Sequence, residues 1–316
     1  MYHYVRELAD SRYPEIKGLE VAAFREQILY LKKFYNFITM EQLVDSIESD
    51  YQLPDKAVLL TFDDGYVDHY TCVFPILVEN LIQGSFFIPA QPVMEHTVLD
   101  VNKIHFVLAS CTDKQLIVDD IFLLLDKYRE RFNLKSNEYY YSKLAISNRF
   151  DMPEVIFIKR LLQVELEENL RQIVIDALFK KYIGVAERTF SKELYMSMEQ
   201  IKAMRTFGMH IGSHGFCHYW FNSLSREKQE SEILKSIEFL NIVGADRKYL
   251  TMCYPYGASN NDTVEILNER EFKLAFTTNV NVANIKIEGR YSLSRLDTND
   301  LPKSQYLEAQ EWFVKG

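Results

Sequence analysis

The sequence predicts an α/β fold built on a parallel sheet, and three observations lead to this prediction. Residues 57–62 form an apolar run of strand type, and residues 84–89 form a second run that starts at a glycine and ends at a proline. Between the two runs, residues 68–81 carry apolar side chains at helical spacing. A strand, a helix and a second strand in this order form a unit whose strands run parallel.

Further elements precede this unit. Residues 2–5 are aromatic and β-branched, which predicts a short opening strand. Residues 21–35 are predicted as an amphipathic helix because apolar side chains such as Phe24 and Ile28 recur at helical spacing. A shorter helix is predicted over residues 40–47.

The chain changes character between residues 100 and 190, where long helical patterns dominate. The clearest patterns cover residues 117–131 and 157–182. We interpret this block as a helical insertion within a single domain that spans residues 1–316. Ordinary core helices are the alternative interpretation.

The alternation of helices and strands resumes at Met196. Helices are predicted over residues 198–207, over residues 224–243, and from a cap at Asn261 or Asp262 to Arg270. Strands are predicted over residues 209–214, 250–254, 274–278 and 291–296.

The composition narrows the classes of function. The 316 residues carry a net charge of −9, which argues against broad binding of nucleic acid. The opening residues show no basic and apolar leader pattern, and no long apolar run predicts a membrane span, so we expect a cytoplasmic protein. The four cysteines are scattered without a CxxC pair, and we expect free thiols.

Two adjacent carboxylates, Asp63 and Asp64, stand where the first apolar run ends, and Gly65 follows them. Adjacent acidic groups at the end of a buried strand are costly unless they meet a cation or share a proton. Catalytic groups of α/β sheets lie at this end of the strands, so the pair is a candidate site. A simple Asp-Gly turn is the alternative.

Two other predicted strands end in residues of chemical interest. His214 and His218 are four residues apart, and two imidazoles with one carboxylate can hold a metal, although many such pairs have a structural role. Residues 255–257 (Pro-Tyr-Gly) form a turn that can aim backbone N–H groups at an oxyanion, or a plain connecting loop.

Together these three stretches resemble motifs of the NodB-homology polysaccharide deacetylase superfamily, also called carbohydrate esterase family four. Residues 61–65 (Thr-Phe-Asp-Asp-Gly) match its first motif. Residues 213–218 (Ser-His-Gly-Phe-Cys-His) match its second, and residues 255–257 match the end of its third. The resemblance implies a distorted (β/α)7 barrel, here with a helical insertion.

The same resemblance implies an enzyme that removes an N-acyl group from an amino sugar. It implies a divalent metal, most often Zn²⁺, on Asp64, His214 and His218. It further implies Asp63 as the general base and the backbone N–H of Tyr256 as a donor to the oxyanion.

The chain also departs from the family pattern. An arginine that often precedes the proline of the third motif is replaced here by Cys253 and Tyr254. Arg295 is our candidate to orient the base in its place, with an ordinary surface arginine as the alternative.

The histidine of a late Leu-x-His motif, which supplies the general acid in the family, has no counterpart after His218. His105, His3 and His69 are the remaining candidates for that role. Of these, His105 at the start of the insertion is our first choice, although structural packing is the plainer role for it.

The expected substrate is a small N-acetyl or N-formyl amino sugar. Because no export signal is visible, a soluble or nucleotide-linked sugar destined for a surface glycan fits better than a polymer, and the insertion is expected to cap the site. Two alternatives stay open, namely a non-catalytic carbohydrate-binding pseudoenzyme and an amidase that acts on a non-sugar molecule.

Overall fold

A parallel sheet forms the centre of the fold in this computed structural model, which describes residues 1–49, 51–146 and 151–310. The strands are β1 (Asn36–Phe37), β2 (Ala57–Val58), β3 (Leu60–Asp63), β4 (Gly84–Ile88), β5 (His210–Ser213), β6 (Thr251–Cys253) and β7 (Leu274–Phe276). Strands β3 to β7 form one five-stranded sheet in chain order, with every neighbouring pair parallel. Strands β1 and β2 pair separately, also in parallel.

Single bridges extend the five-stranded sheet at both edges. Tyr2 pairs in parallel with Phe62 of β3, and Leu293 pairs in parallel with Phe276 of β7. The strands predicted over residues 2–5 and 291–296 are therefore shorter than expected, because each segment makes one isolated bridge with the sheet.

The two edge segments also meet each other. The backbone nitrogen of Met1 donates to the carbonyl of Leu296 at 2.7 Å, and the N–H of Thr298 donates to the carbonyl of Met1 at 3.1 Å. The sheet thus curls until its first and last segments touch. This arrangement confirms the α/β fold class and the distorted barrel that the sequence predicts.

Helices connect the strands, which is the pattern that keeps a sheet parallel. They are α1 (Val21–Phe34), α2 (Met40–Glu48), α3 (Phe74–Glu79), α4 (Ala90–Glu95), α5 (Asp100–Ser110), α6 (Lys114–Phe132), α7 (Asn137–Leu144), α8 (Pro153–Arg160), α9 (Glu168–Tyr182), α10 (Glu187–Leu194), α11 (Met198–Thr206), α12 (Arg226–Val243) and α13 (Asn261–Glu269). Within the described ranges, none of them is both long and apolar enough to cross a membrane.

Local signals explain where several helices start. Helix α2 begins with a capping box between Thr39 and Gln42, and α11 begins with one at Ser197. Helix α13 is capped by Asn260, whose side chain accepts the backbone N–H of Thr263. The predicted cap at Asn261 or Asp262 is therefore wrong, because Asn260 is the extended residue from which the helix starts.

The chain divides into two compact units. The first contains residues Met1–Glu7, Gly18–Thr97 and Ser191–Gly316, and it includes the whole sheet. The second contains Leu8–Lys17 and Val98–Phe190 and is helical. Residues 147–150 of the predicted insertion lie outside the described residues, and the assignment of the block to a single domain stays a prediction.

The second unit differs from its prediction in one element. The pattern over residues 157–182 predicts one continuous helix, whereas the structure has α8, a π-helical turn over Leu161–Glu165 and then α9. The break follows because Leu166 is extended and Glu167 caps α9 with its own side chain, which accepts the N–H of Asn169.

Aromatic packing holds the opening segment against the sheet. The Phe62 ring stacks on Tyr2 with centroids 5.1 Å apart and on Phe86 with centroids 4.8 Å apart, and the Phe62 side chain is fully buried. This stack lies directly before Asp63, so it fixes the strand that carries the two carboxylates.

We expect Phe62→Ala to lower the free energy of unfolding by about 3–5 kcal/mol, because it leaves a cavity inside this stack. Leu81→Ala is the control, since Leu81 is 95% exposed, and we expect it to change stability by less than about 0.5 kcal/mol. Urea unfolding of both variants measures the difference. Equal stability of the two would contradict the central position of Phe62.

Candidate active site

The carboxyl ends of three strands of the sheet carry the candidate residues. Asp63 is the last residue of β3, His214 directly follows β5, and Cys253 is the last residue of β6. The strands are parallel and adjacent, so their carboxyl ends lie on the same side. The three candidate motifs therefore lie at the carboxyl ends of the strands, where α/β folds have their active sites.

Asp64, His214 and His218 form a buried cluster. The Oδ1 atom of Asp64 lies 3.4 Å from Nε2 of His214 and 3.3 Å from Nε2 of His218. One donor atom from each residue lies within 4.8 Å of the others. Oδ1 is buried and has no hydrogen-bond partner among the described residues, a costly arrangement for a carboxylate oxygen unless a cation meets it.

The imidazole of His214 is oriented by the backbone. Its Nδ1 lies 2.7 Å from the carbonyl oxygen of Cys253. A carbonyl can only accept, so Nδ1 donates its proton there, and Nε2 is the ring atom that faces Oδ1 of Asp64. Ring orientation of this kind is typical of histidines that bind a metal.

A buried carboxylate fixes the loop between the two histidines. Oε2 of Glu232 accepts the backbone N–H of Phe216 at 3.0 Å and that of Cys217 at 2.7 Å. The N–H of His214 donates to the carbonyl of Ile88 at the end of β4. Although His218 has a positive φ of 61°, these bonds hold the turn that brings its ring back to Asp64.

The donor set fits a divalent metal. Two imidazole nitrogens and one carboxylate oxygen match the ligands of catalytic zinc sites, which use three protein ligands and keep a further position open. The unpartnered Oδ1 of Asp64 and the oriented ring of His214 favour this fit. The identity of the metal stays a prediction.

Asp63 forms a buried ion pair with Arg295. Nη1 and Nη2 of the guanidinium donate to Oδ1 and Oδ2 of Asp63 at 2.9 and 2.8 Å, a two-pronged pairing. Nε donates to the carbonyl of Thr277, and Nη1 also donates to the hydroxyl of Thr61. The structure thus brings Arg295 to the carboxylate that it was expected to orient, and it is not a surface arginine.

The ion pair determines the charge of Asp63. Burial alone would raise the pKa of this carboxyl, but the charge of Arg295 and its hydrogen bonds hold that pKa below its ordinary value of 3.8. Asp63 is therefore ionised at neutral pH, as a general base requires. Each carboxylate oxygen has a second lone pair beyond the one directed at Arg295.

The three candidate acids lie in different parts of the structure. His3 lies beside β3, and its Nε2 is 4.0 Å from Oδ2 of Asp63, with 40% of its side chain exposed. His69 is fully buried, its Nε2 bonds to the carbonyl of His3, and burial lowers its pKa to about 4. His105 lies on α5 in the other compact unit, so its role as the acid stays a prediction.

Tyr256 lies beside the histidine cluster. Its ring meets the edge of His218 with centroids 4.8 Å apart, and it stacks on Trp220 at 4.3 Å. Its φ of 58° places it in the left-handed region, and the φ of Gly257 is 71°. The turn therefore has the unusual backbone expected of an N–H donor loop, while the donor role itself stays a prediction.

A family model described as polysaccharide deacetylase matches residues 50–112 and 126–275. The chain belongs to this family. The match confirms the resemblance to the NodB-homology superfamily drawn from the motifs, and it includes the residues of all three motifs.

Two curated relatives illustrate the similarity. The poly-beta-1,6-N-acetyl-D-glucosamine N-deacetylase of Escherichia coli K12 is 42% identical over 72 residues, which are 22% of this chain and 10% of that protein. The putative polysaccharide deacetylase YxkH of Bacillus subtilis is 25% identical over 117 residues, which are 37% of this chain and 41% of that protein. The alignments thus span less than half of either relative.

Solved structures show the same fold. The Streptococcus pyogenes deacetylase PplD in complex with acetate has a TM-score of 0.56 and 16% identity, and the alignment covers 94% of this chain and 89% of that one. IcaB from Ammonifex degensii has a TM-score of 0.50 and 21% identity, with coverage of 88% and 82%.

We expect Arg295→Met to lower the free energy of unfolding of the metal-free protein by about 3–5 kcal/mol at pH 7, because it leaves Asp63 charged and buried without its partner. The double variant Asp63→Asn/Arg295→Met should recover most of this loss. Arg226→Met is the control, since its ion pairs are on the surface, and we expect a loss of at most about 1 kcal/mol. Urea unfolding in the presence of a chelator measures all three.

Arg295→Met should also reverse the sign with which the free energy of unfolding depends on pH between about 4 and 7. In the wild type, the stability from Asp63 is present above about pH 4 and is lost only as the pH falls through the lowered native pKa. In Arg295→Met, burial raises that pKa, so stability should fall as the pH rises from about 4 to 7. A variant that keeps the wild-type dependence over this range would contradict the assignment of the pair.

Proposed function

We propose that this protein is a deacetylase that uses a divalent metal to hydrolyse the N-acetyl group of an amino sugar within a glycan. The observation that carries the proposal is the buried cluster of Asp64, His214 and His218 beside the Asp63–Arg295 ion pair. The cluster offers three metal ligands, and the neighbouring carboxylate is ionised. A protein that only bound sugars would need neither a base nor a metal at the same edge.

A divalent cation held by Asp64, His214 and His218 would polarise the acyl carbonyl and acidify a water molecule. Asp63 is the base that removes a proton from the attacking water. Arg295 keeps the Asp63 carboxylate ionised and fixes the plane of the carboxylate. The lone pairs that do not accept from Arg295 therefore have a fixed orientation. The backbone N–H of Tyr256 donates to the oxyanion that develops.

His3 is the residue that donates a proton to the leaving amine. The exposed part of its ring allows contact with a substrate, whereas His69 is buried and holds the backbone of His3 in place. Its Nε2 lies close enough to Asp63 for both groups to reach one scissile amide. The reaction then releases an amine and a carboxylate.

The substrate we favour is an oligomer or polymer of N-acetylglucosamine. The name of the Escherichia coli relative states a β-1,6-linked polymer of this sugar, and the matched stretch of 72 residues is 42% identical. The nucleotide-linked sugar expected from the sequence is the second candidate, and the cytoplasmic location stays a prediction. Acetyl is preferred over formyl as the leaving acyl group, because the names of related proteins refer to acetylated sugars and to acetate.

The test measures primary amine release by the zinc-supplemented protein. The substrates are β-1,6-linked N-acetylglucosamine oligomers, their N-formyl analogues, nucleotide-linked N-acetylglucosamine and a non-sugar acetamide. We expect release from the acetylated oligomers, and Asp63→Asn should abolish it while zinc stays bound. Faster release from the nucleotide-linked sugar or the acetamide would overturn the substrate, and no release from any compound would favour a non-catalytic binder.

A pair of histidine variants tests the acid. We expect His3→Gln to lower kcat and kcat/KM by about 10²–10⁴-fold, because the leaving amine loses its proton donor. His105→Gln should leave both unchanged. The reverse result would return the role to His105.

A further inference from the structure

We infer that Tyr66 is a positioning residue for the metal ligand Asp64, and that it selects which carboxylate oxygen faces the two histidines. The phenol hydroxyl of Tyr66 donates to Oδ2 of Asp64 at 2.6 Å, and both groups are buried. The other oxygen, Oδ1, is the one that faces His214 and His218. The inference rests on the proposed metal site.

The backbone around Asp64 does not fix its carboxylate by itself. Asp64 has a φ of 75° and Gly65 a φ of 67°, so the strand ends in two consecutive left-handed residues. These dihedrals fix the backbone, but the carboxylate of Asp64 can still rotate about its own side-chain bonds. A hydrogen bond from a rigid donor removes that freedom.

Tyr66 is such a rigid donor. Its ring is fully buried and stacks on Tyr4 with centroids 4.0 Å apart and on Tyr195 with centroids 6.1 Å apart. The backbone of Tyr66 also pairs with that of Tyr195, and the N–H of Met196 donates to the carbonyl of Gly65. The hydroxyl therefore cannot follow the carboxylate if the carboxylate turns.

The consequence is a site with one donor atom from each ligand. With Oδ2 occupied by the phenol, Asp64 presents Oδ1 alone, next to one Nε2 from each histidine. Partners of this kind orient metal ligands, and their removal typically weakens metal binding by about 10–100-fold. Tyr66 is the residue directly after the motif Thr-Phe-Asp-Asp-Gly. The metal ligand Asp64 and the tyrosine that positions it therefore lie in the same turn.

The test compares Tyr66→Phe with the wild type in zinc binding to the metal-free protein, measured by competition with a chromophoric chelator. We expect the dissociation constant to rise by about 10–100-fold, with a changed visible spectrum of the Co²⁺-substituted variant. Tyr30→Phe is the matched control, because Tyr30 is also fully buried and its hydroxyl bonds only to the backbone of Glu308 and Gln310 in the described hydrogen bonds. The control should keep both the affinity and the spectrum.

A second comparison excludes a general loss of structure. If Tyr66 acts through Asp64, adding Tyr66→Phe to Asp64→Ala should not weaken zinc binding further. Wild-type affinity in Tyr66→Phe, or additive losses in the double variant, would overturn the inference. Weakened zinc binding without amine release from any sugar would instead leave the inference standing and overturn the proposed function.

Discussion

Two carboxylates buried side by side at the end of one strand are the constraint on which this site depends. Asp63 and Asp64 are 1% and 5% exposed, and two uncompensated charges there would be costly. The chain gives them different partners. Asp63 pairs with a guanidinium, whereas Asp64 faces two imidazoles and a phenol and retains one oxygen without a hydrogen bond. The two roles, base and ligand, follow from that division.

The same ion pair connects the site to the closure of the sheet. Arg295 follows the segment that bridges to β7, and Asp63 ends the strand at the opposite edge. The guanidinium therefore reaches across the junction where Met1 and Leu296 meet. An arginine from this late segment thus supplies the positive charge beside Asp63. Cys253, at the end of β6, orients His214 through its carbonyl oxygen.

Much of this arrangement could be predicted from the sequence, and the limits have physical causes. The parallel sheet and the three motifs could be predicted from local patterns, because apolar runs indicate strands and glycines indicate the turns that follow them. Arg295 is predictable only from the missing arginine before the third motif, because its pairing with Asp63 joins residues that are far apart in the sequence. The role of His105 as the acid stays a prediction. The pairing of Tyr2 with Phe62, which places His3 beside Asp63, leaves no local signal in the sequence. Tyr66 and Glu232 act through contacts across a turn and between elements, so spacing alone did not identify them.

We propose that a divalent cation balances the charge of Asp64, whereas Arg295 balances that of Asp63. A crystal structure of the protein grown with zinc, with anomalous data collected at the zinc absorption edge, tests this division. We expect a peak bonded to Oδ1 of Asp64 and to Nε2 of both His214 and His218, with the Asp63–Arg295 pair intact. A peak ligated by Asp63, or no peak within reach of the two histidines, would contradict it.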